Sequence, residues 1–173
     1  MVRGRGLRLS ALSRFSGRVH RQTGLDTPAL PPDRPAPGDA RYHRATDPWP
    51  LYASLEPPTA WAEWAAATGG AVDPATERRR LWQLEVRDLP VLDLRRAEAR
   101  EALDIGPSEL VGAREHAQGA AATSRALGAH GMVVPSAARA DAWNLVVFPI
   151  GFDHVSLGHG RAMRPRPPSV SRR

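Results

Sequence analysis

The sequence of 173 residues contains no cysteine. That absence excludes disulfide scaffolds, cysteine zinc sites, thiol nucleophiles and iron–sulfur clusters. Lysine is also absent, and all 24 basic residues are arginine. Neither a Schiff-base lysine nor the phosphate-binding lysine of a Walker loop is therefore available. The chain also has no GxGxxG or GxxxxGK[ST] loop for a bound nucleotide.

Long hydrophobic runs are missing as well, since no segment approaches the about 20 apolar residues that a membrane-spanning helix needs. The N-terminal segment is basic, and Arg8 and Arg14 interrupt its longest apolar stretch. It therefore lacks the continuous apolar region of a signal peptide. We expect a cytoplasmic protein without a membrane partner. The six histidines form no recognised ligand spacing, so we expect no metal site.

The net charge of +6 is unevenly distributed. Residues 1–21 carry six arginines and residues 161–173 carry five, in both cases without an acid. The intervening residues hold 13 arginines against 18 acids, a net charge of −5. A nucleic-acid-binding domain usually carries its own basic face, so this acidic body disfavours that function.

These composition changes predict three segments. Residues 1–17 are predicted to be a basic, flexible tail, residues 18–160 the folded domain, and residues 161–173 an Arg/Pro-rich flexible tail. Within the domain, residues 24–39 contain five prolines, which favours a long loop over a helix.

Hydrophobic periodicity then predicts a mixture of helices and strands. Prolines at 57 and 58 favour the first turn of a helix, and Gly69-Gly70 favours its end. Helices are also predicted at Ala97–Leu103 and 113–127. The predicted strands are Leu51–Ser54, 81–86, 90–94, 132–135, 144–148 and 152–157. The irregular order predicts an α+β fold with mixed or antiparallel sheets and flanking helices.

Several residues are candidates for chemistry. Glu63 lies in a helix otherwise rich in Trp, Ala and Thr, although a solvent-exposed glutamate fits the same pattern. Arg21 and Arg41 are candidate anion ligands, because a guanidinium donates paired hydrogen bonds, but surface positions remain the alternative. Tyr52 is either a stacking platform or a core aromatic residue. Ser136 follows a predicted strand, where it either contributes to a site or caps a turn.

Together these segments resemble the RES domain family, which is named for its Arg, Glu and Ser residues. The resemblance covers about residues 18–156 and rests on the order of its motifs. The motifs are Val19-His20-Arg21, Gly38-Asp39-Ala40-Arg41-Tyr42-His43, Leu51-Tyr52-Ala53-Ser54, Thr59-Ala60-Trp61-Ala62-Glu63, His116-Ala117-Gln118-Gly119, Val134-Pro135-Ser136-Ala137-Ala138-Arg139 and Asn144-Leu145-Val146-Val147-Phe148-Pro149. The second motif is similar to the family's Gly-Gly-Arg-Trp-Asn, with Asp39-Ala40 before the arginine and Tyr42-His43 after it.

The resemblance implies an ADP-ribosyltransferase-like fold and an enzyme that cleaves the nicotinamide–ribose bond of NAD⁺ by phosphorolysis or hydrolysis. It also implies the toxin of a type II toxin–antitoxin pair, with a helix-turn-helix antitoxin as partner and contact with nucleic acid only through that antitoxin. NAD⁺ is then a substrate, inorganic phosphate a candidate co-substrate, and no cofactor is expected. A second copy of the chain is kept as a further candidate partner.

The same resemblance assigns roles to individual residues. Glu63, Arg41 and Ser136 are implied to be catalytic. Binding of NAD⁺ or phosphate is implied for Arg21, Arg41, Tyr52, Ser136 and Asn144.

Two other functions stay open at this point. A mono-ADP-ribosyltransferase shares the glycosidic step but transfers the ribose to a protein side chain. A catalytically inactive binding module with nucleic-acid-associating arginine tails belongs to another class, and its binding is expected to be sensitive to salt.

Overall fold

The computed structural model describes residues 12–72 and 76–163, in which one six-stranded sheet carries helices on its flanks. The strands are β1 (Leu12–Thr23), β2 (Leu51–Ser54), β3 (Arg79–Asp93), β4 (Gly131–Pro135), β5 (Trp143–Val147) and β6 (Val155–Met163). The helices are α1 (Pro57–Thr68), α2 (Ala97–Leu103), α3 (Pro107–Val111) and α4 (Arg114–Ala126), with a 3₁₀ helix at Pro149–His154. In the two described ranges, no helix is long and apolar enough to cross a membrane.

The sheet has the strand order β1-β2-β5-β4-β3-β6, and β1 also pairs with β3. The first five strands therefore form a closed ring, while β6 lies outside it on β3. Among the strand pairs of the described residues, β3–β4 is parallel and the others are antiparallel. The ring closes between β1 and β2 at the pair His20–Ser54, which places the end of β2 at a junction of strands.

Two hydrophobic cores lie on the two faces of this sheet, because side chains along a strand alternate between faces. Leu145 and Val147 of β5 point into the first core, whereas Val146 points into the second. The first core is formed chiefly by strand residues, among them Phe15, Val19, Leu51, Leu84, Val86, Leu89, Val91 and Val133. The second core packs helices α2, α3 and α4 against the sheet through Leu92, Ala99, Leu110, Ala117, Ala121, Met132 and Val134.

Helix α1 forms where the sequence predicts it. Its first turn holds the two prolines, and Gly69 ends it in the left-handed region with φ of 58°, a conformation that glycine adopts without steric cost. Trp61 and Trp64 are buried and meet edge to face with ring centroids 6.3 Å apart. Glu63, one of the two residues between these tryptophans, is half-buried.

The predicted mixture of helices and strands is confirmed, and three element predictions are wrong. The first concerns β1, which begins at Leu12, so the predicted domain start at residue 18 lies inside a strand. Arg14 lies in the predicted tail, but it pairs with Asp88 on β3 at 3.3 Å, and the neighbouring Arg18 pairs with Glu85 on β3 at 2.8 Å. The rest of the predicted tails, at 1–11 and 164–173, lies outside the described residues.

The other two corrections concern β3 and β6. The predicted strands 81–86 and 90–94 are one strand, β3. Asp88 takes the left-handed conformation with φ of 51°, and its N–H donates to Oγ of Ser16, so the irregularity does not break the strand. Residues 152–154 belong to the 3₁₀ helix, and β6 runs from Val155 to Met163, beyond the predicted domain end at residue 160.

The first core yields a stability prediction for Leu84, which is fully buried. Leu84→Ala should lower the free energy of unfolding by about 2–5 kcal/mol, because the cavity adds to the lost burial. Leu157 is 58% exposed on β6, so Leu157→Ala should change the free energy of unfolding by less than about 0.5 kcal/mol. Urea denaturation followed by circular dichroism measures both, and equal effects would contradict this core assignment.

Candidate functional site

The carboxylate of Glu63 is held at one oxygen by two side chains distant in sequence. Its Oε1 accepts a hydrogen bond from Oγ of Ser136 at 2.6 Å and another from Nδ2 of Asn144 at 2.6 Å. Glu63 is half-buried rather than fully exposed. Hydrogen bonds to a charged acceptor are stronger than those between neutral groups, so these two bonds fix the carboxylate in one orientation.

Asn144 is oriented by the sheet itself. It pairs in register with Ser54 of β2 on one side and with Val134 of β4 on the other. Oγ of Ser54 donates to Oδ1 of Asn144 at 2.7 Å, so the amide nitrogen is turned toward Glu63. Ser54 is buried and therefore acts behind the carboxylate, as a residue that positions Asn144.

Ser136 is buried at the end of β4, where the chain leaves the sheet. Its Oγ accepts hydrogen bonds from the backbone N–H groups of Ala138 at 3.2 Å and Arg139 at 3.1 Å. Because those groups occupy the acceptor side of the hydroxyl, its proton is directed to Glu63. This arrangement makes Ser136 both a turn-forming residue and a donor to the carboxylate.

Arg139 ties the loop after β4 to the start of α1. Its NH1 donates to Oε2 of Glu56 at 2.5 Å and to Oγ1 of Thr59 at 2.9 Å. Thr59 is completely buried, whereas the Glu56 and Arg139 side chains are 59% and 43% exposed. The loop that carries Ser136 is therefore fastened to the helix that carries Glu63.

A second hydrogen-bonded chain runs through Tyr52 on β2. His43 contacts the carbonyl oxygen of Gly38 through Nε2 at 3.0 Å and the Tyr52 hydroxyl through Nδ1 at 2.8 Å. A carbonyl only accepts, so in the neutral imidazole Nε2 donates and Nδ1 accepts from Tyr52. Burial lowers the pKa of His43, an effect that outweighs the opposing bond to Gly38 and the charges of Asp47 and Asp39.

The Tyr52 hydroxyl also accepts from the backbone N–H of Tyr42 at 3.1 Å. Its two bonds fasten the segment around residues 38–43 to the sheet. Burial raises the pKa of Tyr52 well above its usual range, with the Tyr42 N–H opposing that rise. Tyr52 is therefore protonated and serves as both donor and acceptor.

Arg41 and Tyr42 belong to the same segment. NH1 of Arg41 donates to the carbonyl oxygens of Gly112 at 3.0 Å and Leu110 at 3.4 Å, at the end of α3. Burial raises the pKa of Tyr42; the Arg41 charge opposes the rise and the Glu63 charge adds to it. The Tyr42 hydroxyl thus lies within the electrostatic influence of both charged groups.

Arg21 stands apart from this group. It follows His20 on β1, and since His20 pairs with Ser54, the alternation of side chains directs Arg21 to the opposite face of the strand. Burial lowers the pKa of Arg21 to about 10, and its NH1 has no hydrogen-bond partner among the described residues. An unpaired guanidinium nitrogen remains suited to an anion, but in the described part of the chain no hydrogen bond or ion pair joins Arg21 to Glu63.

A surface cavity of about 310 Å³ lies elsewhere. It is lined mainly by the proline-rich loop, together with Trp49 and Phe152, and shares no residue with the Glu63 network. The carboxylate network is the better candidate site because charged and polar groups converge there. Across 12–72 and 76–163, no three His, Asp or Glu side chains converge as a ligand set for a metal.

The structure thus brings three of the sequence-predicted residues, Glu63, Ser136 and Asn144, into direct contact. Arg41 lies on the segment around residues 38–43, and Tyr52 lies on β2, where its hydroxyl bonds to that segment. Ser54 and Tyr42 belong to motifs of the family resemblance, but the sequence predicts no role for either. Their positions could have indicated a role, because Ser54 shares a strand face with the candidate Tyr52 and Tyr42 follows the candidate Arg41.

Comparison with known proteins identifies the family of this chain. The RES domain family model matches residues 16–163, and the chain belongs to the RES domain family. It is 31% identical over 134 residues to the probable NAD(+) phosphorylase Rv3189 of Mycobacterium tuberculosis (strain ATCC 25618 / H37Rv). That alignment covers 77% of this chain and 65% of the relative, just under two thirds of the relative's length.

Among solved structures, the chain is similar to the crystal structure of the M. tuberculosis MbcT–MbcA toxin–antitoxin complex. The TM-score is 0.76 at 23% identity, with 93% of each chain covered. At this identity the likeness establishes a shared fold.

The His43 network predicts a pH dependence of stability. The unfolded histidine titrates near 6.5 and the folded one below it, so the unfolded state binds more protons as pH falls through 6.5. The stabilisation is fully present above that pH and is lost progressively below it. His20, whose pKa is also lowered chiefly by burial, acts in the same direction.

His43→Gln should therefore flatten the fall in unfolding free energy from about pH 7.5 to about pH 5. The residual slope should reflect His20. His116 is exposed on α4, so His116→Gln should leave the wild-type slope unchanged. A wild-type slope in the His43 variant would contradict a neutral, buried His43. Urea titrations at successive pH values measure these slopes.

Proposed function

We propose that this protein is an enzyme that cleaves the nicotinamide–ribose bond of NAD⁺, by phosphorolysis or hydrolysis, and acts as the toxin of a toxin–antitoxin pair. The observation that carries the proposal is the Glu63 carboxylate, fixed by Ser136 and Asn144 at 2.6 Å each. Membership of the RES family and the relative named as a probable NAD(+) phosphorylase support the choice of substrate.

The chemistry of this bond suits a fixed carboxylate. Breaking it develops positive charge on the ribose, as in glycoside cleavage. A carboxylate already held in place stabilises that charge without reorganising during the reaction. The pyridinium nitrogen takes the bonding electron pair, so nicotinamide leaves as a neutral molecule and needs no strong general acid.

The acceptor determines the products. In phosphorolysis, an oxygen of inorganic phosphate forms a bond to ribose C1′ as the bond to nicotinamide breaks, which gives an ADP-ribose phosphate. In hydrolysis, water takes that position and loses a proton, which gives ADP-ribose. NAD⁺ is a substrate in both reactions, and the proposal includes no cofactor or metal.

In this proposal Arg41 and Ser136 act with Glu63 as catalytic residues, and the remaining site residues bind the substrate. Ser136 and Asn144 orient Glu63 and contact ribose hydroxyls or a phosphate. Arg41, whose NH1 donates to the carbonyl of Gly112, and Arg21, whose NH1 is unpaired among the described residues, bind the pyrophosphate or inorganic phosphate. Tyr52 packs against nicotinamide through its ring while its hydroxyl holds the segment at Tyr42 and His43.

The finer assignments follow from the same proposal. The mixed sheet with flanking helices is a relative of the ADP-ribosyltransferase fold. The partner is an antitoxin of helix-turn-helix type, and contact with nucleic acid occurs only through that partner. The similar structure is a toxin–antitoxin complex by its title, which supports such a partner. A toxin that consumes cellular NAD⁺ acts in the cytoplasm.

Glu63→Gln tests the proposal. The wild-type protein should consume NAD⁺, faster with inorganic phosphate if phosphorolysis is the reaction. The amide lacks the negative charge, so the rate should fall by about 10²–10³-fold. Glu101→Gln, on the exposed surface of α2, is the matched control and should keep the wild-type rate. Chromatography of the nucleotide products gives the rate and the acceptor.

Full NAD⁺ turnover by folded Glu63→Gln protein would contradict the role of the carboxylate. No NAD⁺ loss by the wild-type protein, with or without phosphate, would contradict free phosphorolysis and hydrolysis. Label from radioactive NAD⁺ appearing on protein would instead identify the mono-ADP-ribosyltransferase reaction.

A further inference from the structure

The Tyr42 hydroxyl is a buried polar group that the mechanism above does not use. The residue is 3% exposed, and its oxygen has no hydrogen-bond partner among the described residues. Buried hydroxyls in folded proteins are normally hydrogen-bonded, so each exception calls for a specific explanation. Nothing in the packing of Tyr42 requires this oxygen.

The rest of Tyr42 is fully accounted for by the fold. Its backbone N–H donates to the Tyr52 hydroxyl at 3.1 Å. Its ring lies 6.4 Å from the Tyr52 ring and belongs to the second hydrophobic core. A phenylalanine preserves both interactions, so the hydroxyl can be removed without removing what the fold uses.

The backbone N–H of Tyr42 bonds to Tyr52 on β2, the strand that also carries Ser54 of the Glu63 network. Tyr52 and Ser54 lie two residues apart on the same face of β2, and Ser54 bonds to Asn144, which bonds to Glu63. The opposing effects of Glu63 and Arg41 on the Tyr42 pKa agree with this location. Burial keeps the phenol protonated, so its oxygen offers a proton to a hydrogen-bond acceptor.

The two charged neighbours define the chemistry of the group that would bind there. A carboxylate repels an anion, whereas an alcohol donates to the carboxylate and accepts from a phenol or a guanidinium. Resting on the proposed function, we propose that Tyr42 contacts the substrate by donating a hydrogen bond to a hydroxyl of the nicotinamide ribose beside Glu63.

Tyr42→Phe separates this role from a structural one. Free Tyr42→Phe protein should be at least as stable to urea as wild type, because the removed hydroxyl has no protein partner. Its KM for NAD⁺ should rise by about 3- to 10-fold, the effect of one neutral hydrogen bond. Tyr52→Phe makes the same chemical change at a hydroxyl with two partners, and it should lower stability.

NAD⁺ analogues that lack the 2′- or the 3′-hydroxyl of the nicotinamide ribose identify the contact. One of the two should be turned over with the same KM by wild type and Tyr42→Phe, since the partner of the phenol is gone. A loss of stability in free Tyr42→Phe would assign the hydroxyl to the fold. An unchanged KM for NAD⁺ in a variant of wild-type stability would overturn the contact.

The failures of the two proposals are distinguishable. If wild type consumes NAD⁺ and Tyr42→Phe matches it with every substrate, only the role of Tyr42 falls. If wild type neither binds nor consumes NAD⁺, the proposed function falls and the ribose contact falls with it.

Discussion

The hydrogen bonds that converge on Oε1 of Glu63 join the parts of the molecule on which the site depends. They connect α1 to the end of β4 through Ser136 and to the start of β5 through Asn144. A half-buried carboxylate is unfavourable unless its lone pairs are satisfied, so these donors stabilise the packing of α1 on the sheet. The same bonds hold the charge where a reaction that generates a cation would use it.

The local elements around this site are largely predictable from sequence because their signals are local. The prolines and Gly69 predict α1, and the apolar run Leu51–Ser54 predicts β2, with the bounds that the structure shows. The strand β1 is not predictable in this way. Its arginines indicate a solvated tail until the acids of β3 are placed beside them, and that pairing joins residues 67 and 74 positions apart.

The site itself combines a predictable and an unpredictable part. The family resemblance names Glu63, Ser136 and Asn144 without stating which of them touch. Their contacts span 73 and 81 residues and depend on the order of β2, β5 and β4, which the sequence pattern does not supply. The role of Ser54 cannot be predicted from the sequence, because a small polar residue at a strand end has many ordinary roles. Its function emerges only from its register with Asn144.

Residues 42 and 43 show how one chain adapts the common family pattern. Where the family motif has Trp-Asn, this chain has Tyr42-His43. His43 accepts from Tyr52 in its neutral form and donates to Gly38. Tyr42 places a phenol in a buried position. Tyr42 and His43 therefore hold the segment on β2 through their bonds to Tyr52. Tyr42 also brings a hydroxyl that can donate one further hydrogen bond.

The central claim is that the fixed carboxylate faces the reacting ribose. A crystal structure of Glu63→Gln protein with NAD⁺ tests it most directly, since the amide preserves the shape of the side chain. The account predicts ribose C1′ at about 3.5 Å from an oxygen or nitrogen of residue 63, within the range of a reactive contact. Adenine or pyrophosphate in that place, or a nucleotide bound away from residue 63, would contradict it.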